Sequence, residues 1–330
     1  MQPESMGVIE NQLNLRHTMA GSANLPHDRG HLLWTAEDGV SRMLLSSIDR
    51  WVTAILADDG IDAPVFDSQD RGSSVIATKS DGIIAGTAAI DHMIQIWAPS
   101  IQITWRASDG KKVSNGEEVA LLSGCKSAIL QFERSILNIL GHLSGIATET
   151  KRWASKAAKQ VASTRKTTWG LLDKWAVHLG GGLTHRLTRD DALMIKENDL
   201  AAMFDSGLAN DVRIAQFIQT LDIANNPSFI EIEVRNEKEA ITAAAMWQQF
   251  HADAEIRLVV MLDNFGAERC KNTVAQLTEM GLRENILLEA SGNITFDTLD
   301  DWFECGVDVI STSAINRGVK PLDLSMIMGD

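Results

Sequence analysis

From residue 160 onward the chain alternates short apolar runs with amphipathic stretches, and that alternation leaves few architectures open. The runs "QVASTRKT", "GLTHRL", "FIEIEVR", "RLVVMLDNF", "NILLEASGNI" and "VDVISTSAI" have the length and composition of buried strands. The stretches "NEKEAITAAAMWQQFHAD", "ERCKNTVAQLTEMG" and "TFDTLDDWFECG" separate several of them and carry helical patterning. Apolar strands joined through helices make a parallel sheet covered on both faces. About six such units in succession predict a β/α barrel. Each run also ends in polar residues: R-K, H-R, E-I-E, D-N, S-G-N and S-T-S. The C-terminal ends of barrel strands share one mouth, where such barrels keep their active sites. Six polar endings therefore predict one site.

The first half reads differently. Residues 1 to about 30 are polar and punctuated by Gly, Pro and Asn, which predicts a loosely held extension. "VSRMLLSSIDRWVTAILADDG" places Met43, Leu44, Ile48, Trp51, Val52 and Ile55 on one helical face, ended by Gly60. Strand-length runs broken by D-G and N-G turns follow, and "DGKKVSNGEEVALLSG" reads as a plain β-hairpin. "AILQFERSILNILGHLSGIATETKRWASKAAKQ" is a long helical pattern with breaks expected at Gly141 and Gly145. A net charge of −14 and a pI near 5.0 argue against nonspecific binding to nucleic acid or an anionic membrane. Any anionic ligand must be caught by a local basic pocket. Cys125, Cys270 and Cys305 lack metal or disulfide spacing and read as reduced, buried thiols. No apolar run reaches the roughly 18 residues needed to span a membrane. The N-terminus has neither a signal-peptide nor a transit pattern, so the expectation is a soluble cytoplasmic protein.

The strand endings have a chemistry in common. Arg165, Lys166, His185, Arg186 and Lys196 offer charge and planar forks for carboxylates or phosphates. Glu233 and Asp263 are the matching acids at two later strand ends, suited to Mg²⁺ on a polyphosphate or to sugar hydroxyls. "ASGN" (290–293) and "STSA" (311–314) are small-residue loops of the kind whose backbone N–H groups hold a phosphate. Plainer readings exist for each piece. His185 alone could be structural, Glu231 and Glu233 could form a solvated strand face, and "RLTRDDALMIKEND" could be a charged helix surface. No P-loop, nucleophile elbow, H-E-x-x-H or dinucleotide fingerprint is present.

Taken together these pieces resemble the quinolinate phosphoribosyltransferases, also called carboxylating nicotinate-nucleotide pyrophosphorylases. The resemblance rests on "ERSILNILGHLSGIATET", "TRKTTWGLLDKWAVHLGGGLTHRLTRDDALMIKEND", "EIEV", "MLDNF", "LEASGNIT" and "GVDVISTSAI", from about residue 40 to the end. It implies an α/β protein: an N-terminal α/β sandwich and an incomplete β/α (TIM-like) barrel whose last helix returns to the first domain. The implied division is an extension over 1–39, a sandwich over 40–148, the barrel with the active site over 149–312, and a returning segment over 313–330. It also implies conversion of quinolinate and phosphoribosyl pyrophosphate to nicotinate mononucleotide, pyrophosphate and CO₂ in NAD biosynthesis, with Mg²⁺ as cofactor.

By the same resemblance, Arg165, Lys166, His185, Arg186 and Lys196 line the quinolinate pocket. Arg134 would reach in from the neighbouring subunit of a homodimer or higher oligomer. Glu233 and Asp263 would hold the ribose and the Mg²⁺-pyrophosphate, with Lys166 beside them as catalytic groups. Ser291, Gly292, Asn293, Ser313 and Ala314 would take the 5′-phosphate. The chain departs from the family pattern at "FDSQDRGSS", at "IKEND" (Asp199 for histidine), at "SAINR" (a glycine and a histidine lost, Arg317 gained) and at Thr184 for asparagine. A related transferase for another aromatic acid, or a catalytically weak binding or assembly subunit, are the alternatives these departures leave.

Overall fold

The computed structural model describes residues 25–65, 69–157, 160–205, 207–223 and 229–329. The altered "FDSQDRGSS" motif begins at residues 66–68 and so lies partly outside them, as do residues 1–24 of the extension. Two short strands, β1 (Trp34–Thr35) and β2 (Gly39–Val40), pair around a turn just before the first helix. Ser41 then starts α1 (Arg42–Asp58) by accepting a hydrogen bond from the Leu44 amide at 3.3 Å. The helix buries Leu44, Ile48, Val52 and Leu56, while Met43 stays exposed.

Next come β3 (Arg71–Thr78), β4 (Gly82–Ile83), α2 (Thr87–Trp97), β5 (Ile101–Trp105), β6 (Lys112–Val113) and β7 (Glu118–Cys125). The expected hairpin at "DGKKVSNGEEVALLSG" is not one. β6 pairs with β4, whereas β7 lies between β3 and β5, so the N-G turn passes from one sheet to another.

Helix α3 (Lys126–Lys156) runs through Gly141 and Gly145 without a break. The glycines serve contact instead. A β-carbon on Gly145 would sit 2.4 Å from the Lys320 carbonyl oxygen, and the Leu322 amide donates to the Gly141 carbonyl at 2.9 Å. The returning chain thus lies directly on the helix backbone.

The second half is the barrel. Its parallel strands are β8 (Val161–Ser163), β9 (Leu193–Ile195), β10 (Ile230–Val234), β11 (Leu258–Asp263), β12 (Ile286–Ser291) and β13 (Val309–Thr312). Their order is β8-β13-β12-β11-β10-β9, which leaves a seam between β9 and β8. Helices α4 (Leu171–Leu179), α5 (Glu197–Met203), α6 (Asn210–Thr220), α7 (Glu237–His251), α8 (Ala267–Glu279) and α9 (Leu299–Phe303) complete the units. "GLTHRL" is not a strand: only Leu183 makes a single parallel bridge, to Ala162.

Residues 25–33 occupy that seam and are not loosely held. Leu25 packs on two buried clusters at the lower ends of the strands, one with Phe229, Val259 and Leu287, the other with Ala162, Leu183 and Val309. His27 is fully buried, and its carbonyl accepts from the His185 amide at 2.8 Å. The Arg29 amide donates to Thr184 Oγ1 at 3.1 Å, and its Nε reaches Asp191 at 2.7 Å. Stacked inward-facing residues explain the docking, because an open barrel floor would leave this apolar layer in water.

After the barrel, β14 (Leu324–Met328) pairs antiparallel with β3, completing a four-stranded sheet in the order β14-β3-β7-β5. The return to the first sheet is therefore made by a strand, where a helix was expected. The chain is an α/β protein with an antiparallel sheet packed on helices and an incomplete parallel barrel.

Alanine normally gains about 1 kcal/mol over glycine inside a helix. At Gly145 the close Lys320 carbonyl reverses the sign. Gly145→Ala should destabilise the protein by about 2 kcal/mol, read as a lower urea midpoint with unchanged slope. A neutral or stabilised variant would show that the returning segment does not press on the helix.

Candidate active site

A cavity of about 280 Å³ opens at the C-terminal ends of the barrel strands. Arg165, Lys166, His185, Arg186 and Lys196 line it, facing Glu233 and Asp263. A second cavity of about 340 Å³ adjoins it and shares Thr164, Lys166, Asp263, Ser291 and Ser311. Gly292, Asn293, Ser313 and Ala314 line only this second space. The structure thus brings the sequence-derived residues together as two adjoining compartments, one cationic and one of small polar loops. Arg134 is the exception. It is exposed on α3 and lines neither cavity.

Local interactions set each side chain. The loop carrying Arg165 and Lys166 is held by Asp173, which is buried at the start of α4. One Asp173 oxygen accepts from the amides of Thr168 at 2.6 Å and Trp169 at 3.2 Å; the other meets His142 Nε2 at 2.8 Å. Asn316 donates from its side chain to the Lys166 carbonyl at 3.0 Å, so a residue of the altered "SAINR" ties the last loop to the first. Asp199 of the altered "IKEND" accepts from the Lys196 amide at 2.9 Å and caps α5. That fixes the base of Lys196, whose ammonium pairs with Glu233.

His185 adopts a left-handed backbone, φ 55°, which is uncommon outside glycine. Its Nδ1 accepts from the Arg186 amide at 2.7 Å. Its Nε2 lies 3.2 Å from Glu289 and 3.3 Å from Glu231, both fully buried. Burial disfavours charge on the ring, while Glu289 and Glu231 draw a proton to its Nε2 edge. The amide facing Nδ1 opposes a second proton. Geometry therefore assigns the ring's proton to Nε2, between the two carboxylates. Burial, then the like charge of Glu289, raises the pKa of Glu231.

Sequence reasoning missed the layer beneath the cavity. Lys174 is buried and donates to the Ser163 carbonyl at 2.9 Å, Ser163 Oγ at 3.1 Å and the Thr184 carbonyl at 2.5 Å. It stands among Leu171, Leu172, Trp175 and Ala176, and a lysine in so apolar a helix start was a readable signal. Glu289, interrupting "ILLEA", was another. Thr164, Met194 and Met261 line the first cavity and carried no comparable mark, whereas Ser311 opens the "STSA" loop.

The arrangement can hold a planar polyanion against fixed cations while acids face a second, phosphate-sized compartment. The chain is similar to known proteins over most of its length. The family model described as the quinolinate phosphoribosyl transferase C-terminal domain matches residues 146–327, and that of the N-terminal domain matches 53–144. A probable carboxylating nicotinate-nucleotide pyrophosphorylase of Methanothermobacter thermautotrophicus is 37% identical, over 78% of this chain and 89% of that protein. One from Bacillus subtilis is 34% identical, over 79% and 85%. The solved nicotinate-nucleotide pyrophosphorylase of Francisella tularensis superposes with a TM-score of 0.71 at 29% identity, covering 86% of this chain and 97% of that one.

Lys174 gives a pH signature. Burial, reinforced by Arg165 and Arg186, lowers its pKa from 10.5 to about 7. Between those values the unfolded chain binds more protons than the native state, so this group's contribution to stability increases as pH rises from 7 towards 10. Lys174→Met should therefore flatten the melting-temperature profile from pH 7 to 9 relative to the unaltered protein. Parallel profiles for the two proteins would mean that the ammonium is not depressed.

Proposed function

We propose a function from one premise: this chain belongs to the quinolinate phosphoribosyltransferase family. It is a carboxylating nicotinate-nucleotide pyrophosphorylase, a pentosyltransferase of NAD biosynthesis. Quinolinate and phosphoribosyl pyrophosphate become nicotinate mononucleotide, pyrophosphate and CO₂. The observation that carries the reading is the pair of adjoining cavities, with Lys166 and Asp263 common to both.

In this reading Arg165, Lys166, His185, Arg186 and Lys196 orient the dicarboxylate. Ser291, Gly292, Asn293, Ser313 and Ala314 receive the 5′-phosphate. Glu233 and Asp263 face the ribose. Departure of pyrophosphate leaves positive charge at the anomeric carbon, which these carboxylates stabilise. The pyridine nitrogen donates its lone pair to that carbon. The ring is then a pyridinium, and when the bond to the adjacent carboxylate breaks, its electron pair remains on the ring carbon as CO₂ leaves. A proton from solvent replaces it. Much of the acceleration comes from holding two highly charged partners in register.

Mg²⁺ fits the donor set. Asp263 offers hard oxygen to the cavity, its Oδ2 accepting from the Asn264 side-chain nitrogen at 2.9 Å, and Glu233 stands on the next strand. When bound, the ion supplies positive charge to the pyrophosphate leaving group. Arg134, exposed on α3, fits a role in a neighbouring subunit of a homodimer. Among the described residues no helix is long and apolar enough to cross a membrane, and we place the enzyme in the cytoplasm.

The decisive assay supplies Mg²⁺, phosphoribosyl pyrophosphate and a panel of pyridine acids while pyrophosphate release is followed. Quinolinate should exceed nicotinate by well over tenfold in kcat/KM, since a monocarboxylate can pair with fewer of the cations that line the cavity. Equal use of nicotinate, or turnover only with another acid, would overturn the substrate assignment.

Assembly has its own test. Arg134→Ala and Lys166→Ala should each be nearly inactive. In mixed dimers one site carries both lesions and the other is intact, so a re-equilibrated equal mixture should recover about a quarter of full activity. No recovery, with subunit exchange verified, would place Arg134 outside its neighbour's site.

A further inference from the structure

The segment in the barrel seam bears on the cavity above it. We infer that His27 is a positioning residue for quinolinate binding: it holds His185 by the backbone and, through Glu289, by the ring. The inference rests on the transferase reading.

Two contacts carry it. The His27 carbonyl accepts from the His185 amide at 2.8 Å, which restrains a residue whose φ of 55° needs restraint. His27 Nε2 lies 2.9 Å from Glu289 Oε2, the same oxygen that lies 3.2 Å from His185 Nε2. The two imidazoles meet edge to face at 5.1 Å, and both pack on Phe229. His27 and Glu289 have no exposed side-chain surface, so neither can turn to water. His185 is the member of this set that lines the cavity, and Arg186 follows it directly. Without His27, Glu289 would be left without that neighbour in a buried layer, and the His185 ring beside it would lose a fixed charge partner.

The same atoms invite a second reading. Ligand atoms of His27, His185 and Glu289 lie within 4.8 Å of one another, close enough for a metal ion. The Arg186 amide argues against it. With Nδ1 accepting that N–H, the ring proton sits on Nε2, which then has no lone pair for a cation. The cluster is a proton-bearing set rather than a metal centre.

The test uses the full chain with His27→Gln and, in parallel, His27→Asn. The KM for quinolinate should rise at least about tenfold, with the KM for phosphoribosyl pyrophosphate within about twofold. In ¹⁵N-histidine-labelled protein the His185 Nε2 resonance should report a protonated nitrogen and should shift in the variants. Leu25→Ala loosens the same segment without touching the cluster; it should lower the melting temperature and leave both KM values in place. A loss of stability in the His27 variants with unchanged quinolinate KM and unmoved His185 resonances would overturn the proposal. An unprotonated Nε2 in the unaltered protein would do so too, even if neither variant folds. An unaltered protein inactive on quinolinate would sink the transferase reading instead, leaving the spectroscopic result to stand by itself.

Discussion

Two carboxylates, Glu231 and Glu289, lie fully buried in the middle of the barrel. Isolated charges there would cost several kcal/mol each, so the structure around them is constrained to compensate. His185 points its proton-bearing edge between them, and His27 Nε2 approaches the same Glu289 oxygen. Lys174 stands nearby, satisfied by three oxygens of Ser163 and Thr184. These groups fix the turn through residues 184–186, and that turn presents His185 and Arg186 to the cavity. The substrate-facing cations therefore rest on a polar layer that substrate does not touch.

The parts of this architecture that were legible in the sequence are those with local periodicity. Polar residues closing short apolar runs marked the strand ends of β8 and β10 to β13, and with them Arg165, Lys166, Glu233, Asp263 and Ser291. What periodicity could not report was which face an alternating strand turns inward. Glu231 and Glu233 read equally well as a solvated edge, yet both point into the barrel, one in its core and one at its mouth. Glycine was misleading for a related reason. Gly141 and Gly145 suggested helix breaks, but their small size answers a chain segment that arrives some 180 residues later in sequence order, with Lys320 and Leu322. Leu25 and His27 were illegible on the same grounds. Their partners are strand residues and a turn far along the chain, and no short-range pattern marks a segment that fills a gap left by tertiary assembly.

The departures from the family pattern acquire physical roles. Asp199 caps the helix behind Lys196, and Asn316 bridges the first and last loops of the site. Thr184 is buried against Arg29, so its hydroxyl serves the seam segment. These substitutions sit around the charged pocket and keep its cations and acids in place. Of the three, Thr184 touches the N-terminal segment, whereas Asp199 and Asn316 act on the loops that carry Lys196 and Lys166.

The strand β14 has a consequence for how the molecule comes into being. It pairs with β3 across roughly 250 residues of chain, with Ser74 opposite Met328. During synthesis the first sheet emerges early but lacks this strand until the barrel has been made. Contacts of such span are slow to form, and an unpaired edge invites association with other chains in the meantime. The barrel strands from β9 to β13 pair in chain order as they emerge, whereas the earlier sheet waits for β14, which follows the barrel. In this protein the earlier sheet is begun before the barrel and completed after it.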